Sequence, residues 1–204
     1  NFLGHLYLDG ANFATINASS QVVAPSYGAT GDFRDAGGMM SALQDGFHNK
    51  LTGEFLQSSL ASISSLLTNS RTLTLNATLT INTGAILQSG GTATIKSMST
   101  TSRAIRTGSA VNMVIRVDLP TDVLNIGVSG IGLAHIGDAS QAGGLTKTGA
   151  GTLVFFGTNV QTGPTIINEG VVRLSGQFAQ LAGSGTGLTV RQGARLELDG
   201  VGAA

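Results

Sequence analysis

Glycine returns at near-regular distances along this chain, and each time it interrupts a short alternation of apolar and polar residues. Gly151, Gly170 and Gly193 are 19 and 23 residues apart, and Gly84 lies 67 residues before Gly151, about three such periods. A period near twenty holding two or three short strands marks a β-solenoid coil. In each unit, alternation places Leu79 and Ile81, Leu153 and Phe155, Leu188 and Val190, or Leu196 and Leu198 on one face. Thr80, Asn82, Thr189 and Arg191 then point to solvent. One coil cannot bury its own apolar face, whereas stacked coils can. At roughly 4.8 Å per rung, about ten rungs make a rod about 50 Å long.

Weaker versions of the pattern fill the interval between the clear units. Residues 71–75, 93–95, 111–117 and 123–128 alternate well, and Pro120 breaks the chain between two of them. Residues 39–67 support two readings. Leu43, Phe47, Leu51 and Phe55 fall at four-residue spacing, as on a helix, but Gly46, Gly53 and a run of serines interrupt them. Strands and loops continuing the solenoid are the preferred reading, with a short helix or cap as the alternative. The expected organisation is one continuous solenoid in three parts. Residues 1–38 form a loop-rich first coil or cap, with Phe2, Leu6 and Leu8 as a candidate strand. Residues 39–143 form irregular coils, and residues 144–204 form the regular repeats.

Composition agrees with corners and short strands. Glycine supplies 30 of 204 residues, aromatics are 5%, charged residues 11%, and tryptophan is absent. Glycine takes the positive φ angles of tight corners, while a helical bundle needs more Leu, Ala, Glu and Lys. The 11 basic and 11 acidic residues are scattered and cancel, so no basic stripe addresses nucleic acid. The absence of cysteine removes disulfides, thiolate metal sites and cysteine nucleophiles together. No run of eighteen apolar residues offers a membrane-spanning helix. The chain opens at Asn1 inside a strand-like pattern, which reads as a mature or trimmed fragment of something longer.

The stretch Gly143-Gly-Leu-Thr-Lys-Thr-Gly-Ala-Gly-Thr-Leu153, followed by the turn Asn159-Val-Gln-Thr-Gly163, closely resembles the autotransporter-associated β-strand repeat of bacterial surface-protein passengers. The resemblance is strongest over residues 144–174 and carries weakly through Leu198. Gln161 stands where that family commonly has an aromatic, and Pro164 where it has a small residue. The resemblance implies an all-β, right-handed parallel β-helix with coils of about 19–23 residues. It further implies an extracellular or cell-surface location, secretion as a passenger, and a larger parent polypeptide anchored through an outer-membrane region not present here. It implies no particular ligand.

A β-helix can carry an enzyme, so candidate chemistry has to be weighed. Glycoside hydrolysis needs two carboxylates facing one groove. The pairs Asp32/Asp35 and Asp118/Asp122 flank turns, where aspartate commonly caps its own backbone. His5, His48 and His135 lack ligand spacing, and no serine lies in a G-x-S-x-G elbow. The glycines of residues 127–132 lack the Lys-Ser/Thr ending of a phosphate loop and read as a solenoid corner. The sequons at Asn17 and Asn76 read as chance matches in an Asn/Thr-rich chain. No catalytic, cofactor-binding or metal-ligating residue is assigned, and no cofactor is expected. The resulting expectation is a non-enzymatic extracellular scaffold supporting display, adhesion or assembly. The alternative is a glycan-binding or glycan-cleaving β-helix. Expected partners are the parent polypeptide, a second copy stacked end to end, or a surface glycan.

Overall fold

The computed structural model describes residues 2–8, 12–28, 32–36, 43–99, 101, 103–108, 111–129, 134–137, 143–181 and 187–200. Three N-terminal strands, β1 (Phe2–Leu8), β2 (Asn12–Ile16) and β3 (Val22–Val23), form an antiparallel sheet. All later strands pair in parallel, so the described part of the chain is all-β.

One stack of the solenoid contains β4 (Phe33–Ala36), β5 (His48–Leu51), β7 (Ala61–Leu67), β9 (Leu79–Gln88), β12 (Met113–Val117), β15 (Leu145–Thr148), β17 (Thr165–Ile167) and β19 (Leu188–Val190). A second contains β6 (Phe55–Gln57), β8 (Thr72–Leu75), β10 (Thr92–Ser97), β13 (Val123–Ile126), β16 (Thr152–Phe155), β18 (Val171–Ser175) and β20 (Arg195–Asp199). This is a parallel β-helix. Residues 43–67, including the stretch with helix-like spacing, form strands β5, β6 and β7; residues 39–42 lie outside the described set.

The middle of the rod has a third side. Strand β9 turns at Gly84, whose φ of +70° suits glycine. Its first half, Leu79–Ile81, pairs with β11 (Arg103–Thr107), which pairs in turn with β14 (Ala134–Ile136). Its second half, Ala85–Gln88, pairs with β12. The extra strands lengthen the turn. Leu153 meets Val172 after 19 residues and Leu145 meets Thr165 after 20, as the sequence period anticipates. Ile86 meets Ile115 after 29 and Met113 meets Leu145 after 32, because those rungs also contribute to the third side.

A single apolar core runs inside the rod from Ala36 to Ala179. Leu79, Ile81, Leu153 and Phe155 are fully buried in it, on the expected face. Leu188, Val190 and Leu198 occupy the same inward positions on β19 and β20 but are 48%, 44% and 65% exposed. Among the described residues nothing stacks over that last rung.

A second, smaller core lies outside the helix. Strands β7 and β9 bury Leu67, Ala85 and Leu87 on their outer face, where Phe13 of the antiparallel sheet covers them. Tyr7 and Tyr27 pack against this cluster, and Tyr7 stacks on Phe13 at 5.6 Å. The N-terminal sheet therefore straps the flank of the rod. A run such as Ala85-Ile86-Leu87 is buried on both faces for this reason.

Candidate functional site

Of the two carboxylate pairs, Asp118 and Asp122 hold the scaffold in place. Asp122 is 1% exposed; one of its oxygens accepts the Gly91 amide at 2.7 Å, the other the Gly90 and Leu119 amides at 3.2 and 3.1 Å. Asp118 pairs with Arg116 at 2.7 Å. Asp32 accepts the His48 amide through its backbone carbonyl, while the Asp35 side chain is exposed. Glu169 accepts the Gly149 amide at 2.8 Å, and Glu197 pairs with Arg173 at 2.8 Å. Asp9, Asp138, the His5 side chain and glycines 130 and 132 lie outside the described residues. Among the described residues no three metal-ligating side chains gather.

The arrangement closest to a nucleophile and base joins His48 and Ser65, which neighbour each other across β5 and β7. His48 Nδ1 lies 2.9 Å from Ser65 Oγ. Phe33 stacks on the imidazole at 4.6 Å, and Ser65 is fully buried. Burial lowers the His48 pKa to about 4, against the opposing charge of Asp32. A base with so low a pKa takes a proton poorly near neutrality, and a sealed hydroxyl has no route to a substrate. The pair is a satisfied polar contact inside the first rungs.

Lys147 is the clearest polar group that the sequence reading passed over. It lies two residues after Leu145 and so shares its inward face, between Ile115 and Ile167 of the neighbouring rungs. Its ammonium donates to the carbonyls of Thr148, Gly149 and Glu169 at 2.8, 2.6 and 3.2 Å, clipping one rung to the next. Burial lowers its pKa to about 7, opposed by Glu169 and assisted by Arg116. Asn159 performs a similar task on the third side, accepting the Ile136 amide and donating to the Gln180 carbonyl, each at 2.8 Å.

Two concavities accompany these elements. The first is a cavity of about 10 Å³ lined by Thr107, Met113, Ile136, Gly137, Gly143, Gly144 and Gln161. It has room for about one water, and the buried Gln161 Oε1 has no protein partner. The second is an open groove of about 340 Å³ on the third side, lined by Asp45, Leu60, Ala61, Ser62, Thr78, Thr80 and Arg106. Pairing places Ser62 beside Thr80 and Thr80 beside Arg106 on three successive rungs. Sequence alternation marks these residues as outward-facing, but their alignment depends on registers that only the fold supplies.

The passenger-associated-transport-repeat family matches residues 145–174, the rungs that contain the Lys147 clip. An extracellular serine protease of Serratia marcescens is 50% identical over 42 residues, which are 21% of this chain and 4% of that protein. The chain thus corresponds to only a small part of that relative's length. No solved structure matches it significantly. Residues 145–174 are an autotransporter passenger repeat carried on a parallel β-helix, a repeat that places the protein outside the cell or at its surface.

Proposed function

We propose that this segment is a non-enzymatic scaffold, a stiff stalk that holds other parts of its parent polypeptide away from the cell. The observation that carries the reading is the continuous core from Ala36 to Ala179. Every rung shares this core with its neighbours, so bending one rung strains the next. Buried Asp122 and buried Lys147 support the same reading, because their polar atoms serve backbone groups of adjoining rungs. The protease activity named for the Serratia relative is not carried over, since the shared segment is 4% of that protein. The test is incubation of the purified chain with labelled casein and labelled polysaccharides. A scaffold leaves them intact; turnover abolished by Ser65→Ala would overturn the reading.

End-to-end association is a further part of the proposal, and it commits to a second copy of this chain. Among the described residues β19 and β20 each pair on one side, and Leu188, Val190 and Leu198 are exposed beside them. Light scattering at high concentration checks it: growth that weakens with Leu198→Glu supports stacking, and a constant monomer mass rejects it.

A further inference from the structure

The groove on the third side combines charges, hydroxyls and one apolar edge on a rigid frame. Asp45 accepts the Ser62 amide at 2.7 Å, which fixes its carboxylate at one end. Arg106 donates through Nε to Thr80 Oγ1 at 3.1 Å, which draws the guanidinium toward the neighbouring rung. Ser62 Oγ donates to Asn82 at 3.3 Å. Leu60 stands over this polar floor and is 72% exposed. Because neighbouring strands set these groups, a ligand has little side-chain freedom to freeze on binding.

From this arrangement we propose that the groove binds a carbohydrate, namely one or two sugar units of a glycan chain. Asp45 offers only acceptors, Arg106 only donors, and the serine and threonine hydroxyls offer both. Sugar hydroxyls donate and accept at every position, so one ligand can satisfy all three kinds of group. Leu60 supplies an apolar edge for the C–H face of a sugar ring. The acid and base oppose each other in charge, which gives a phosphate chain no advantage. The hydroxyl-rich floor disfavours a greasy ligand. The volume of about 340 Å³ sits at the small end of ligand sites. Rungs repeat at about 4.8 Å, close to the length of one pyranose ring, so successive sugars can meet successive rungs.

The proposal rests on the groove itself and stands apart from the scaffold reading. Its test is an NMR titration of the 204-residue chain with lactose, cellobiose, chitobiose and digalacturonate, alongside a hydroxyl-free peptide, trialanine. The proposal expects saturable amide shifts confined to Asp45, Ser62, Thr80 and Arg106 with at least one disaccharide and none with trialanine. Asp45→Ala and Thr80→Val should each weaken that binding about tenfold, whereas Thr189→Val on the last rung should leave it unchanged. Far-UV circular dichroism confirms that each variant keeps its strands. No saturation with any sugar, equal shifts with the peptide, or binding indifferent to both groove substitutions would overturn the proposal.

Discussion

The repeat rungs from Leu145 to Leu174 and the first rungs from Phe33 to Leu67 belong to one solenoid but are held together differently. In the repeat, backbones approach so closely that side chains are excluded at the corners. A Cβ on Gly149 would lie 2.2 Å from the Val117 carbonyl, and one on Gly170 would lie 2.4 Å from the Gly149 carbonyl. The first rungs are looser. Gly46 has a similar φ of +78°, yet nothing lies within 4 Å of its Cβ position. Cohesion there comes from aromatic contacts, Phe33 on His48 and Arg34 over Phe47, and from the strap carrying Phe13. Close backbone packing needs the same small residues in every rung and so leaves a motif. Side-chain packing has many solutions and leaves none.

The sharpest way to break this contrast is to place the same methyl group at two glycines. Gly149→Ala combines left-handed strain with a backbone clash and should cost about 3 kcal/mol or more. Gly46→Ala carries the strain alone and should cost about 1 kcal/mol. Thermal melts of the two variants measure the difference, and equal losses would erase the proposed distinction.

Phe13→Ala comes next. It should remove about 3 kcal/mol from docking of the strap. Hydrogen exchange should then quicken in β1 and β2 and on the outer face of β7 and β9, while β15–β18 stay protected. Protection lost evenly along the rod would show that the strap and the repeat are one cooperative unit.

Lys147→Met keeps the length of the side chain but leaves three carbonyls without their shared donor. A loss of about 2 kcal/mol is expected at neutral pH, read by denaturant unfolding.

The two regions should also titrate in opposite windows. The folded-state pKa of His48 lies below its ordinary value, near 4 rather than 6.5. The unfolded chain therefore binds the proton first, and stability present above pH 6.5 is lost as the pH falls toward 4. Lys147 is likewise lowered, to about 7 from 10.5. Between those values the unfolded chain again binds more protons, so stability rises with pH from 7 toward 10.5. His48→Gln should flatten the acid limb and Lys147→Met the alkaline one, each without altering the other. The smallest change expected is Gln161→Leu, which trades an unpartnered amide oxygen beside a water-sized cavity for apolar volume and should shift stability by less than about 1 kcal/mol.

The parts of this fold visible in sequence are those where one residue has one physical job. Gly151, Gly170 and Gly193 mark corners, and alternation identifies Leu79, Ile81, Leu153 and Phe155 as core. The third side was hidden because Gly84 bends a strand without ending it, and β11 carries no recurring glycine. The strap was hidden because its contacts join residues far apart in the chain, although the unbroken run Ala85-Ile86-Leu87 signals cover on both faces. Lys147 was legible by the same alternation that placed Leu145 inward, but a lysine is ordinarily assigned to solvent. The sugar groove needed Ser62, Thr80 and Arg106 brought together by registers of 18 and 26 residues, and no local pattern encodes those.

The central claim is the stacking of rungs in parallel register, and one distance tests it. Thr72, Thr94, Asn125, Val154, Arg173 and Glu197 form a single column through five successive pairings. The chain contains no cysteine, so Thr72→Cys with Glu197→Cys gives two unique sites for spin labels. Pulsed electron–electron resonance should return one narrow distribution, with the two backbones about 24 Å apart at about 4.8 Å per rung. A broad distribution, or a separation far from that value, would contradict the stacked β-helix.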